Sequence, residues 1–297
     1  SLMGLFRRQS RKVRPGFTLA QGRIDVANPK AFLTDKLNLL RAFEEALRSS
    51  YLLHPNIMRL IAANLDKIDD GMRDDPEAAR IFLRILLDHG NPERGLRRMN
   101  ELGVLAAYIP EFEAIVAMMQ FNVYHHYTVD EHTIQCISVL AQIERGELIE
   151  ELPVVTGILA DGINRRVIYL ALLLHDIGKG RPEDHSVAGA KVARRLCPRL
   201  GFSAADTELV AWLIEEHLTM STVAQSRDLS DRRTIENFTG VAQSAAVSYY
   251  WSTVFGGFSD GATPSLYKSC EASDDTTAVI HLTSPSAAFI TGSRAVF

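Results

Sequence analysis

The run Leu172-Leu173-Leu174-His175-Asp176-Ile177-Gly178-Lys179-Gly180 ends an apolar helical stretch in an adjacent imidazole and carboxylate. Two such neighbours can face one ion only where the backbone leaves regular helix, and Gly178 and Gly180 offer that break directly afterwards. Six of the nine histidines, His125, His126, His132, His175, His185 and His217, lie between residues 125 and 217. An isolated histidine is ordinarily a satisfied core or surface residue. This clustered set with its His-Asp pair reads instead as a metal site. Imidazoles and carboxylates without cysteine suit a divalent ion, Mn or Mg first, with Fe, Co or Zn as alternatives. Such an ion acidifies water and neutralises the charge that builds on a phosphoryl group under attack, so phosphoester hydrolysis is the expected chemistry. Lys179 can contact a phosphate or simply be solvated. Asp184-His185 and His217 are read as further ligands or substrate contacts, against the alternative of hydrogen-bonded structural histidines.

Helical elements must position these residues. The apolar period predicts helices over Val129–Glu144, with His132 in the first turn, over Asn164–His175, and over His185–Leu196. A further helix over Ala204–Glu216 has Ser203 as its cap and His217 at its end. Upstream, Phe32, Leu33, Leu37, Leu40, Phe43 and Leu47 form one apolar stripe, and Ile57, Leu60, Ile61 and Leu65 another. Pro76, Asn91-Pro92 and Gly103 punctuate the short helices that follow. No strand alternation is read before residue 240 apart from one short strand near Gly16–Ile24. The chain is thus expected to be all-α: a connector at 1–30, a helical linker domain at 31–111, a helical bundle carrying the site at 112–240, and a divergent or irregular tail at 241–297. Gly256-Gly257, Gly261 and Thr263-Pro264 open that tail to two readings, an irregular segment or a changed reading frame.

The composition narrows the class. With 297 residues and 46% hydrophobic content the chain can build one large core or two ordinary ones. A net charge of −4 and a pI near 6.1 give no general nucleic-acid footprint. Arg7, Arg8, Arg11, Lys12 and Arg14 are read as a solvated linker rather than an RNA-binding arm. Cys136, Cys197 and Cys270 are too widely spaced for a zinc motif and odd in number for a disulfide framework. The longest apolar run, Val167–Leu174, is far too short for a membrane span, and no export signal opens the chain, so a soluble cytoplasmic protein is expected. The start, Ser-Leu-Met-Gly, suggests a piece of something longer. P-loop, GxSxG and HExxH motifs do not occur, which argues against NTPase, serine hydrolase and zinc-peptidase mechanisms.

His132 and His175-Asp176 resemble the first three positions of the HD superfamily of metal-dependent phosphohydrolases. The phrases Phe121 to His132, Asn100 to Leu105, Ile109 to Phe112, Glu216 to Ser221 and Arg227-Asp228 resemble, within that superfamily, the bifunctional uridylyltransferase/uridylyl-removing enzymes of bacterial nitrogen regulation. The resemblance runs over residues 14–239 and implies an HD domain at 112–240. On the residues and the resemblance together, His132, His175 and Asp176 are read as holding the principal metal and His185 and His217 as further ligands, with His175, Asp176 and Lys179 catalytic and His125 and Lys179 contacting substrate. The activity implied is release of UMP from the uridylylated PII signalling protein, with glutamine as effector of the whole parent enzyme. Neither a nucleotidyltransferase signature nor an ACT-like pattern occurs in the chain, and neither a membrane nor a nucleic acid is an expected partner. The family's last aspartate, on a helix soon after residue 240, has no match in Val241–Phe297; Asp228, Asp231 and Asp260 are weaker substitutes. Two other readings stand beside this one: an HD hydrolase of a free nucleotide, an alarmone or an RNA end, and a non-catalytic scaffold that docks PII.

Overall fold

A computed structural model describes residues 12–119, 128–152, 156, 159, 163–219, 267–274 and 277–282. The chain divides into two compact units, residues 1–116 and 117–297.

The first unit opens with an antiparallel hairpin of β1 (Phe17–Ala20) and β2 (Arg23–Val26), in which Phe17 faces Val26 and Ala20 faces Arg23. One short strand was expected here, and a pair is found. Gln21 and Gly22 both take positive φ, 52° and 71°, the conformation that lets a two-residue loop match the twist of its strands. Ile24 also bridges to Leu53, and it is fully buried. The apolar stripe from Phe32 to Leu47 is split between α1 (Pro29–Thr34) and α2 (Asn38–Ser49). The chain turns extended at Asp35, whose carboxylate accepts from the amide of Leu37 at 3.0 Å.

Next come α3 (Pro55–Ala62), α4 (Asp70–Arg73), α5 (Pro76–Leu87), α6 (Pro92–Glu101) and α7 (Val104–Tyr108). Proline opens α3, α5 and α6, where its missing N–H is one of the unpaired first-turn donors anyway. Leu39, Leu40, Phe43 and Leu47 bury the inner face of α2, which packs against α5 and α6. Two acids share this helix in burial. Glu44 is 1% exposed and pairs with Arg84 at 2.9 Å and Arg14 at 3.2 Å, while Glu45 pairs with Arg48 at 2.6 Å. Arg14 is thus ion-paired to α2, which a solvated linker residue would not be, while Arg7, Arg8 and Arg11 lie outside the described residues. Burial pushes the Glu44 carboxyl up, but the hydrogen bond from Arg84 and the charges of Arg14 and Arg84 hold it below its ordinary value.

The second unit is a helical bundle of α8 (Val129–Glu144), α9 (Arg165–Leu174), α10 (His185–Arg199) and α11 (Ala204–Glu215), close to the spans the apolar period predicts. Helix α9 packs on α8 and α11, and α10 lies along α11. Tyr169 and Arg165 both donate to Glu144, at 2.6 Å each, tying the first turns of α9 to the end of α8. Asn164 caps α9 by accepting from Val167 and donates to Asp206 at 2.9 Å, which links the starts of α9 and α11. Ser203 caps α11 by accepting from Asp206. In the tail, β3 (Tyr267–Asp274) and β4 (Thr277–Leu282) form an antiparallel pair. Among the described residues no helix is long and apolar enough to cross a membrane.

Candidate metal centre

Four helix ends deliver the site. His132 stands in the first turn of α8, His175 and Asp176 follow the last residue of α9, His185 begins α10, and His217 lies two residues past α11. Asp176 is the hub. Its carboxylate is 2% exposed, and its Oδ2 lies 2.8 Å from Lys179 Nζ, 3.4 Å from His175 Nε2 and 4.0 Å from His132 Nε2. Its Oδ1 has no hydrogen-bond partner and lies 3.8 Å from His217 Nε2. The ring pairs His132/His175, His175/His217 and His185/His217 each stand 5.4 Å apart, edge to face.

Two of these imidazoles have a fixed tautomer. His175 Nδ1 lies 2.8 Å from the carbonyl of Leu172, and His217 Nδ1 lies 2.6 Å from that of Ile214. A carbonyl can only accept, so each Nδ1 carries the proton and, in the neutral ring, leaves Nε2 with a lone pair. Metal-ligating histidines ordinarily carry such an outer hydrogen bond. Burial holds the His217 imidazolium below its usual pKa and outweighs the carbonyl contact, which favours the neutral ligand form. Burial pushes the Asp176 carboxyl up, but hydrogen bonds and charge from His175, when that ring is protonated, and from Lys179 keep it well below the usual range, so it is anionic at neutral pH. An anionic, buried carboxylate with one unpartnered oxygen, beside oriented nitrogen lone pairs, fits a divalent cation. Asp176, His185 and His217 place ligand atoms within 4.8 Å of one another. The Nε2 of His185 is buried and unpartnered.

Residues 129–244 match the HD domain model, and residues 17–108 match the uridylyltransferase GlnD third domain model. Among curated proteins, a bifunctional uridylyltransferase/uridylyl-removing enzyme of Cereibacter sphaeroides is 68% identical over 243 residues, covering 82% of this chain and 26% of that protein. Enzymes of the same name from Ruegeria pomeroyi and Bradyrhizobium diazoefficiens are 65% and 59% identical, over 80% and 77% of the chain. The chain belongs to the uridylyltransferase/uridylyl-removing family. It spans about a quarter of the length of these relatives. Its HD domain implies binding of a divalent metal, and the clustered imidazoles and carboxylate are in keeping with that.

Within this member of the family, His132, His175, Asp176, Lys179, His185 and His217 come together. His125 lies outside the described residues, as do Asp228, Asp231 and Asp260. Asp184 turns out to be a helix cap: its Oδ1 accepts from Ser186 and Val187 at 2.9 and 3.1 Å. Gly178 also has a role other than the expected one. Only Gly180 of the pair takes positive φ, at 80°, whereas a Cβ on Gly178 would stand 2.0 Å from the carbonyl oxygen of His185. The glycine thus lets the turn after α9 lie against the start of α10. One residue escaped the sequence reading: Cys136 Sγ is 3.7 Å from His132 Nε2. Its signal is the four-residue spacing from His132 on one helix face, which the spacing between cysteines does not reveal.

Proposed function

We propose that this chain hydrolyses a nucleotidyl phosphodiester, removing UMP from the uridylylated PII protein in the cytoplasm, as the uridylyl-removing part of a bifunctional enzyme. The observation that carries the reading is the buried Asp176 carboxylate, with its unpartnered Oδ1, set among imidazoles whose lone pairs are oriented by backbone carbonyls. His132, His175 and Asp176 would hold one divalent ion, Mn or Mg by preference, and His185 and His217 would extend the site to a second through the other carboxylate oxygen. Bound there, such an ion supplies Lewis acidity, which makes water more nucleophilic and neutralises phosphoryl charge.

The protein's own residues do the rest. Asp176 stays ionised beside the Lys179 ammonium at 2.8 Å, so it can receive a cation without first losing a proton. Lys179, one turn on, brings an ammonium to the same carboxylate and can offer it to phosphoryl oxygens of the substrate. His125 would contact the substrate at the entrance.

The test is UMP release from uridylylated PII by this chain with added Mn, beside His175→Ala. Release should fall to background in the variant while far-ultraviolet circular dichroism is unchanged. Retained hydrolysis in a folded, metal-loaded His175→Ala chain would remove His175 from the site.

A further inference from the structure

Cys136 stands one turn beyond His132 on α8, and His132, Cys136 and His175 place one ligand atom each within 4.8 Å of one another. The geometry points to a second mode of metal binding at this centre, in which His132, Cys136 and His175 hold a thiophilic divalent ion such as zinc or cadmium.

The distances suit it. A tetrahedral ion with a metal–sulfur bond of about 2.3 Å and a metal–nitrogen bond of about 2.05 Å separates sulfur from nitrogen by about 3.6 Å. Cys136 Sγ and His132 Nε2 are 3.7 Å apart. His175 cannot turn Nδ1 to the ion, because that nitrogen is bonded to Leu172, so Nε2 is the atom it offers. Cys136 is a free cysteine of intermediate exposure. Oxygen-preferring ions such as Mn and Mg have little affinity for sulfur and leave it protonated, whereas a thiophilic ion displaces the proton to buffer as the metal–sulfur bond forms. Occupation of this mode takes His132 and His175 away from Asp176 and therefore competes with the hydrolytic ion.

The inference rests on reading His132 and His175 as ligands, but its test contains neither nucleotide nor PII. Cadmium alone is titrated into the full chain, reading the ultraviolet thiolate-to-cadmium absorption and proton release. The band should appear in the wild type and in Cys270→Ser, vanish in Cys136→Ser, and come with one proton lost by the thiol. Cadmium affinity should weaken about tenfold or more in Cys136→Ser, a change of about 1.4 kcal/mol, with manganese affinity within about twofold. A sulfur shell in X-ray absorption of the zinc-loaded wild type checks the assignment without that variant. Manganese binding with no sulfur shell, or a band that survives Cys136→Ser, would overturn the thiol assignment alone. Loss of binding by both ions would overturn the ligand reading as well.

Discussion

Gly178→Ala is the sharpest probe of how the centre is held. The added methyl carbon would lie 2.0 Å from the carbonyl oxygen of His185 and 2.8 Å from the amide nitrogen of Gly189, both backbone atoms of α10. Reaching an ordinary van der Waals contact, which begins near 3.4 Å, requires the turn and the helix to part by about 1.4 Å, since no flexible side chain can yield instead. His185 sits on the moving end of α10, and His217 packs against it at 5.4 Å. Overpacking of this kind costs about 1–3 kcal/mol. For a bundle of roughly 100 residues that corresponds to a fall in Tm on the order of 10 °C. A shift of about 1 Å in a constellation of this type is worth about 100-fold in activity. Gly146→Ala is the control, because that glycine has positive φ but open space around it, so backbone strain is felt without any push on the site. Thermal unfolding and manganese titration of the two variants give the answer. Gly178→Ala should lose both stability and manganese affinity, and Gly146→Ala stability only. A Gly178→Ala chain with wild-type Tm and manganese affinity would refute the close-approach argument.

Asp184→Asn separates cap from ligand: asparagine caps as well as aspartate, so stability should change by less than about 0.5 kcal/mol and manganese affinity by less than about twofold. A loss near tenfold in affinity, read by titration calorimetry, would make Asp184 a ligand after all. In the first unit, Glu44 is ionised below its ordinary value of 4.5, so its stabilisation is complete above that pH and is lost as pH falls through the lower folded value. Glu44→Gln should therefore lower the urea midpoint near neutrality and flatten its decline below about pH 4.5; parallel acid limbs in the two proteins would exclude this role.

The helices bearing the histidines were legible because their apolar residues repeat at helical period over ten or more positions, and α8 begins and ends where the pattern does. The approach of His132, His175, Asp176, His185 and His217 was foreshadowed by residue type alone, since five such groups in a short span have few other uses. What stayed hidden depended on atoms distant in sequence or on unremarkable residues. Gln21-Gly22 is a weak turn signal, and the stripe shared by α1 and α2 conceals the break at Asp35, which a side-chain hydrogen bond fixes. The burial of Glu44 could not be read without Arg84, forty residues on, and the true constraint on Gly178 lies in the carbonyl of His185.

His175 and His217 each bond back to the carbonyl three residues earlier, at the ends of α9 and α11. Each imidazole thereby closes its own helix while aiming its other nitrogen outward, so the portable module here is a terminal helical turn together with its histidine. A protein engineer grafting such a centre onto another bundle would move two helix ends, each carrying its orientation with it, and would need to choose only the carboxylate between them.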